Sequence, residues 1–202
     1  LLPTKYQFPL PRQRRWSKMK YLQKSHYAAA ILLSAIFLTF LIAPIPEAQA
    51  ANCYSGGLGS RSFGVRYVNV NSQWTGGFDT ARSRWNSSGA GASIQSQATA
   101  IPIMTAGQYT DSWYGLYTPI QNAGGKTFKI QVNARTLSQS APSNQYWNWV
   151  LSTSTHELGH GLRLLDNPLS ANPNGSLMNH NRNRNTVGSP TSYDVSYVRS
   201  CY

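Results

Sequence analysis

The stretch His156-Glu157-Leu158-Gly159-His160 restricts this chain more than any other part of it. Two histidines four residues apart project from one face of an α-helix, one turn above the other. Both imidazoles can then grip a single Zn²⁺. Glu157 sits one step along from the first histidine. It can take a proton from a water that such an ion makes acidic. With only four His and two Glu in the whole chain, a chance arrangement of this kind is rare. The spacing predicts a long helix over residues 143–164. On it Trp147, Leu151, Leu158, Leu162 and Leu165 form one apolar stripe, and His156 and His160 fall roughly opposite. One face should pack on a sheet while the other presents the imidazoles to a cleft.

A zinc centre that keeps one position open needs a third protein ligand. No Glu follows Glu157, because the other one is Glu47. Zinc sites that draw a Glu from a downstream helix are therefore excluded. Asp166, His180 and Asp194 remain as candidates. Asp166 stands six residues after His160, and Asp194 has a plainer reading as a first-turn residue of a closing helix.

Upstream of the motif the pattern favours strands. Residues 63–70 and 128–132 alternate, with Phe128, Ile130 and Val132 on one side. Shorter pieces at 92–95, 101–105 and 113–118 also read as strands, and residues 122–125 as a turn. Phe78, Ala81, Arg82 and Trp85 have helical spacing. A Gly/Asn/Pro-rich loop covers 166–188, and a last helix is expected over about 190–199. The fold class is α+β, with strands first and the main helix after them.

On these residues the chain resembles the metzincins, zinc endopeptidases with HExxHxxGxxH or HExxHxxGxxD and a Met-turn. Ser176-Leu177-Met178 is similar to the Met-turn, which lies beneath the zinc as an apolar base. Phe78 to Asn86 resembles the first helix of matrixin-like domains, and 190–202 their closing helix. Asp as third ligand is similar to the snapalysin-like branch. The resemblance implies a zincin-like single catalytic domain, with a twisted mixed sheet, an active-site helix and a C-terminal helix. It implies His156, His160 and Asp166 on Zn²⁺ with Glu157 as the general base. His180, two residues after Met178, stands where astacins and serralysins place a tyrosine that reaches the metal or the transition state. It is either such a residue or the third ligand itself. One departure matters: the family's Gly three residues after the second His is Arg163 here. That residue must leave the helix without positive φ or accept strain. The alternative reading is a secreted zinc-binding or cell-surface module that keeps the fold without turnover.

Charge and cysteines place the domain. The chain carries a net charge of +12, concentrated before an apolar run at 28–43 and the small residues Ala48-Gln49-Ala50. This reads as a signal peptide over 19–50, cleaved after Ala50, with 1–18 an upstream non-native extension; the rival is an uncleaved anchor. Residues 51–202 then form the catalytic domain, secreted and without a stable membrane span. Their basic residues are scattered, eleven Lys and Arg against five Asp and Glu. No cluster suits nucleic acid, although the excess would suit an anionic cell surface. The expected partner is a protein or peptide substrate. Structural Ca²⁺ is doubtful, since the few carboxylates are spread out. In a secreted protein Cys53 and Cys201 most simply pair, the rival being Cys53 as a thiol masking the metal.

Overall fold

A computed structural model describes residues 52–167 and 171–202. The expected extension, signal peptide and cleavage site lie outside the described residues. Among the described residues no helix is long and apolar enough to cross a membrane.

The fold is α+β, with a five-stranded mixed sheet. In chain order the elements are β1 (Ser62–Tyr67), α1 (Ser72–Ser87), β2 (Ser93–Ser96), β3 (Ile103–Gly107), β4 (Gly115–Asn122) and β5 (Gly125–Asn133). Next come α2 (Ala134–Ser140), α3 (Tyr146–Gly161), a 3₁₀ turn (Pro173–Gly175) and α4 (Ser192–Ser200). The strand order is β2-β1-β3-β5-β4. All neighbours are parallel except β4, which runs antiparallel to β5 through the hairpin at 122–125. So β4 is a sheet edge. Pro119 sits within it, opposite Phe128. Proline has no N–H to give, so it is tolerated only where that group would face away from the neighbouring strand.

Local chemistry accounts for the element ends. Asn71 caps α1 by accepting from the Trp74 N–H. Phe78, Ala81 and Trp85 then bury the inner side of α1. Alternation on β5 buries Phe128, Ile130 and Val132. Asn133 ends that strand and caps α2 with its side chain. The short helix α2 was not expected from the sequence. Its signal is this single Asn cap, since seven residues are too few to show a period.

Helix α3 differs from expectation in length and in surroundings. It covers Tyr146–Gly161 rather than 143–164. Leu158 and Leu162 are buried as expected, but Trp147 and Leu151 are only half-buried and Leu165 is exposed. The helix is instead enclosed on every side from Ser152 to Gly159. Small residues permit this. A Cβ on Gly159 would stand 2.6 Å from Met178 Sδ and 3.1 Å from the Trp85 ring, and one on Gly161 3.2 Å from Phe128. The Trp85 indole N–H also donates to the Thr155 carbonyl at 2.8 Å. So α1, the sheet and the chain around Met178 all press on one helix.

The exit of α3 resolves the question raised by Arg163. Leu164 N–H bonds the Gly159 carbonyl and Arg163 N–H the His160 carbonyl, both at 3.0 Å. These are the two bonds of a Schellman motif, whose turning residue is left-handed. Arg163 adopts φ 68° and makes the turn in a conformation that glycine adopts freely. Its side chain is held by a 3.0 Å bond to the Cys201 carbonyl, and its own carbonyl accepts from Tyr54 N–H at 2.8 Å. Arg163→Ala keeps the backbone strain and loses the side-chain bond, whereas Arg163→Gly removes the strain. The glycine variant should be the more stable of the two by about 1 kcal/mol. Urea unfolding midpoints of both variants read this directly; an alanine variant as stable as the glycine one would show that the turn is unstrained.

Cys53 and Cys201 form a disulfide with their Cα atoms 5.7 Å apart. A disulfide is what an oxidising compartment allows. It also leaves no thiol on Cys53 to mask a metal.

Candidate metal centre

Helix α3 projects His156 and His160 toward one point, with their rings 4.9 Å apart and perpendicular. Each Nδ1 meets a backbone carbonyl: Leu177 at 3.0 Å for His156 and Leu164 at 2.9 Å for His160. Donation to a carbonyl requires the proton on Nδ1. Both Nε2 lone pairs are thereby left facing the same space, the tautomer a metal ligand needs. Arg182 Nη1 lies 3.3 Å from His156 Nδ1 and donates to the Asn179 carbonyl at 2.9 Å; an Nδ1 that carries its proton has no lone pair to accept from the guanidinium. His156 is only 4% exposed. Burial, with Arg182 adding to it, pushes its pKa down to about 3, so the ring is neutral near pH 7.

Asp166 closes the group. Its Oδ1 lies 3.3 Å from His156 Nε2 and 3.6 Å from His160 Nε2, and its Oδ2 3.2 Å from His180 Nε2. In a tetrahedral shell with Zn–N bonds of 2.0–2.1 Å, neighbouring ligand atoms stand about 3.3–3.4 Å apart. The two Asp166–imidazole separations are close to that value, and two imidazoles with a carboxylate are a donor set that suits Zn²⁺. Burial alone would raise the Asp166 carboxyl, but the bond to His156 and the neighbouring His160 and His180 hold it below the ordinary range. His180 is 68% exposed and comes from the loop, not from a helix. The structure thus brings both Asp166 and His180 to the point where His156 and His160 converge.

Asp194 is elsewhere. It is fully buried, and its oxygens accept from Ser176 Oγ at 2.5 Å, Leu177 N–H at 2.8 Å and Thr191 N–H at 2.8 Å. With Thr191 it forms the capping box of α4. Both oxygens are taken up by protein donors in the buried interior, so Asp194 is corrected from a candidate ligand to a strut. What it supports is the turn at 176–178. That turn presents the Leu177 carbonyl to His156 and packs Met178, buried, against Gly159. The chain Asp194, Leu177, His156 thus orients the first imidazole from two elements away.

Glu157 stands beside the cluster, Oε1 4.0 Å from His156 Nε2. The Tyr117 backbone N–H of β4 donates to its carboxylate. That N–H points away from β5, and Pro119, two residues on, shares its side of the strand. Gly115 makes room, since a Cβ there would fall 2.5 Å from Glu157 Oε1. Burial, reinforced by Asp166, pushes the Glu157 pKa up to about 8. The group is a far stronger base than an exposed glutamate.

Two hollows border Glu157, His156, His180 and Gly115. One, of about 270 Å³, runs along Leu116 and Tyr117 toward Tyr54 and Leu165. The other, of about 320 Å³, lies toward Trp113, Tyr114, Arg182 and Arg184. Together they make a groove along the free edge of β4, with the histidine cluster at its middle. The sequence reading missed Arg182 and Arg184. Their only signal is the alternating Asn181-Arg182-Asn183-Arg184 directly after His180.

No protein-family model and no curated protein sequence matches the chain. Among solved structures, a chain of one described as "GM1 bound form of the ECX AB5 holotoxin" superposes with a TM-score of 0.51 at 14% identity. The match covers 74% of this chain and 85% of that chain. At that identity the likeness is one of fold.

Proposed function

We propose that the protein is a secreted, zinc-dependent endopeptidase of metzincin type. The observation that carries this reading is the convergence of His156 Nε2, His160 Nε2 and Asp166 Oδ1 beside the buried Glu157, in a groove along an open strand edge. His156, His160 and Asp166 would hold the ion, with His180 on the second Asp166 oxygen, fixing its orientation and lining the open side. Zn²⁺ bound there supplies a Lewis acid that polarises a carbonyl and makes a water nucleophilic. Glu157 receives the water's proton and returns it to the leaving amine. Tyr117 N–H steadies the Glu157 carboxylate from β4. An extended peptide adds to the β4 edge by main-chain hydrogen bonds.

Metal content and casein cleavage, measured side by side for the native protein, Asp166→Ala and His180→Ala, test this. The native protein should hold about one zinc per chain and cleave casein until a chelator is added. Asp166→Ala should lose both properties. His180→Ala should keep the metal and lose roughly 10–100-fold in rate. Stoichiometric zinc in Asp166→Ala would transfer the ligand role to His180. Zinc without cleavage of any broad substrate would favour the binding-module reading.

A further inference from the structure

Arg182 and Arg184 line the hollow on the Tyr114 side of the groove, and peptide hydrolysis does not use them. Arg182 is 3% exposed. Its guanidinium bonds Ser152 Oγ at 3.0 Å, the Asn179 carbonyl at 2.9 Å and the Ser152 carbonyl at 3.2 Å. All of these are neutral acceptors. Arg184 stacks on Tyr114 at 4.6 Å and on Trp149 at 5.3 Å. Its Nε is buried without a hydrogen-bond partner, as is Thr153 Oγ1 in the same hollow. Among the described residues no carboxylate lies within ion-pair distance of either arginine. Two guanidiniums are thus gathered in one recess with donors to spare. Burying unpaired positive charge is costly, and an anion brought into the recess relieves that cost.

The direction of the groove says which part of a substrate enters. Antiparallel pairing is the more stable mode of strand addition. A peptide antiparallel to β4 runs its carboxyl-side half past Gly115 toward Trp113. Resting on the endopeptidase reading, we infer that this recess receives the Asp or Glu side chain of the residue following the scissile bond, with its carboxylate on Arg184 and Arg182. The protein is then selective for acidic sequence at that position.

Matched peptides differing only by Asp against Asn, or Glu against Gln, at that position test the assignment. Two quantities are read. One is the kcat/KM ratio of each pair with the zinc-loaded secreted protein. The other is calorimetric binding of the same peptides to Glu157→Gln, with and without Arg184→Met. The acidic peptide should win by at least roughly tenfold in both. Arg184→Met should shrink the ratio toward unity, and Arg184→Lys should restore part of it. Cleavage with no acidic preference, or with a preference that Arg184→Met leaves intact, would overturn the assignment while the peptidase stands. Acid-selective binding that depends on Arg184, without any cleavage, would keep the recess and overturn the peptidase. If Arg184→Met fails to fold, the native protein's ratio still decides.

Discussion

Glu157→Gln is expected to lower peptide hydrolysis by roughly 10²–10⁴-fold while zinc remains bound at full stoichiometry. The reasoning is geometric. Glutamine keeps the shape, the space beside Gly115 and a hydrogen bond from Tyr117 N–H, so the surroundings have no cause to move. It loses only the ability to accept a proton. The carboxylate it replaces is a strained resident, buried and close enough to Asp166 for its pKa to stand near 8. At pH 7 the buried acid stays largely protonated while the unfolded chain would ionise it, a cost in stability that a neutral isostere does not carry, so the melting temperature of the metal-free protein should hold or rise. Activity would fall as stability holds or rises, a pairing that a merely structural glutamate would not produce. Chelator-sensitive cleavage, zinc content and a thermal melt on the two proteins check it. Retention of more than a tenth of native activity would remove Glu157 from the reaction.

Replacing both cysteines by alanine is expected to have the largest effect on stability. The bridge joins residues 148 positions apart, nearly the whole described domain. Loop-entropy reasoning assigns a closure of that length about 5 kcal/mol as an upper bound. For a domain of this size that corresponds to a fall in melting temperature of roughly 10–20 °C. The effect should also reach the groove. Cys53 holds the segment in which Tyr54 packs edge-on against His160, and in which Gly57 approaches the helix exit so closely that a Cβ would stand 2.7 Å from the His160 carbonyl. Zinc affinity of the double variant should therefore weaken even at temperatures where the domain stays folded. A melting point within a few degrees of the native one would mean that α4 and the first residues dock without the bridge.

The histidines and Glu157 were legible because their relation is local: one helical turn places them, whatever packs around it. The helix stripe was misread for the opposite reason. A stripe is a statement about neighbours, and α3 has them on all sides. Ser152, Thr153, Ser154, Thr155 and Gly159 are buried there, small residues that a hydrophobicity pattern passes over. Arg163 was legible as a conflict, since a helix exit of that kind wants glycine, and the left-handed φ records how it is met. Asp194 needed the tertiary structure to separate a strut from a ligand. Its four acceptor contacts come from residues 176, 177 and 191, whose closeness no spacing reveals. Arg182 and Arg184 were illegible on the same ground, because their chemistry depends on which carboxylates are absent nearby.

The bridge between Cys53 and Cys201 has one more consequence, for how damage to this molecule would be seen. A single backbone cut anywhere between those residues, including in the exposed turns between α3 and α4, yields two pieces that remain covalently one. On a gel run without thiol, a nicked chain would migrate near the position of an intact one. Only after reduction would the fragments part. Backbone nicks would then accumulate in a preparation that looks homogeneous, and the ratio of band intensities with and without reductant would measure its true working lifetime.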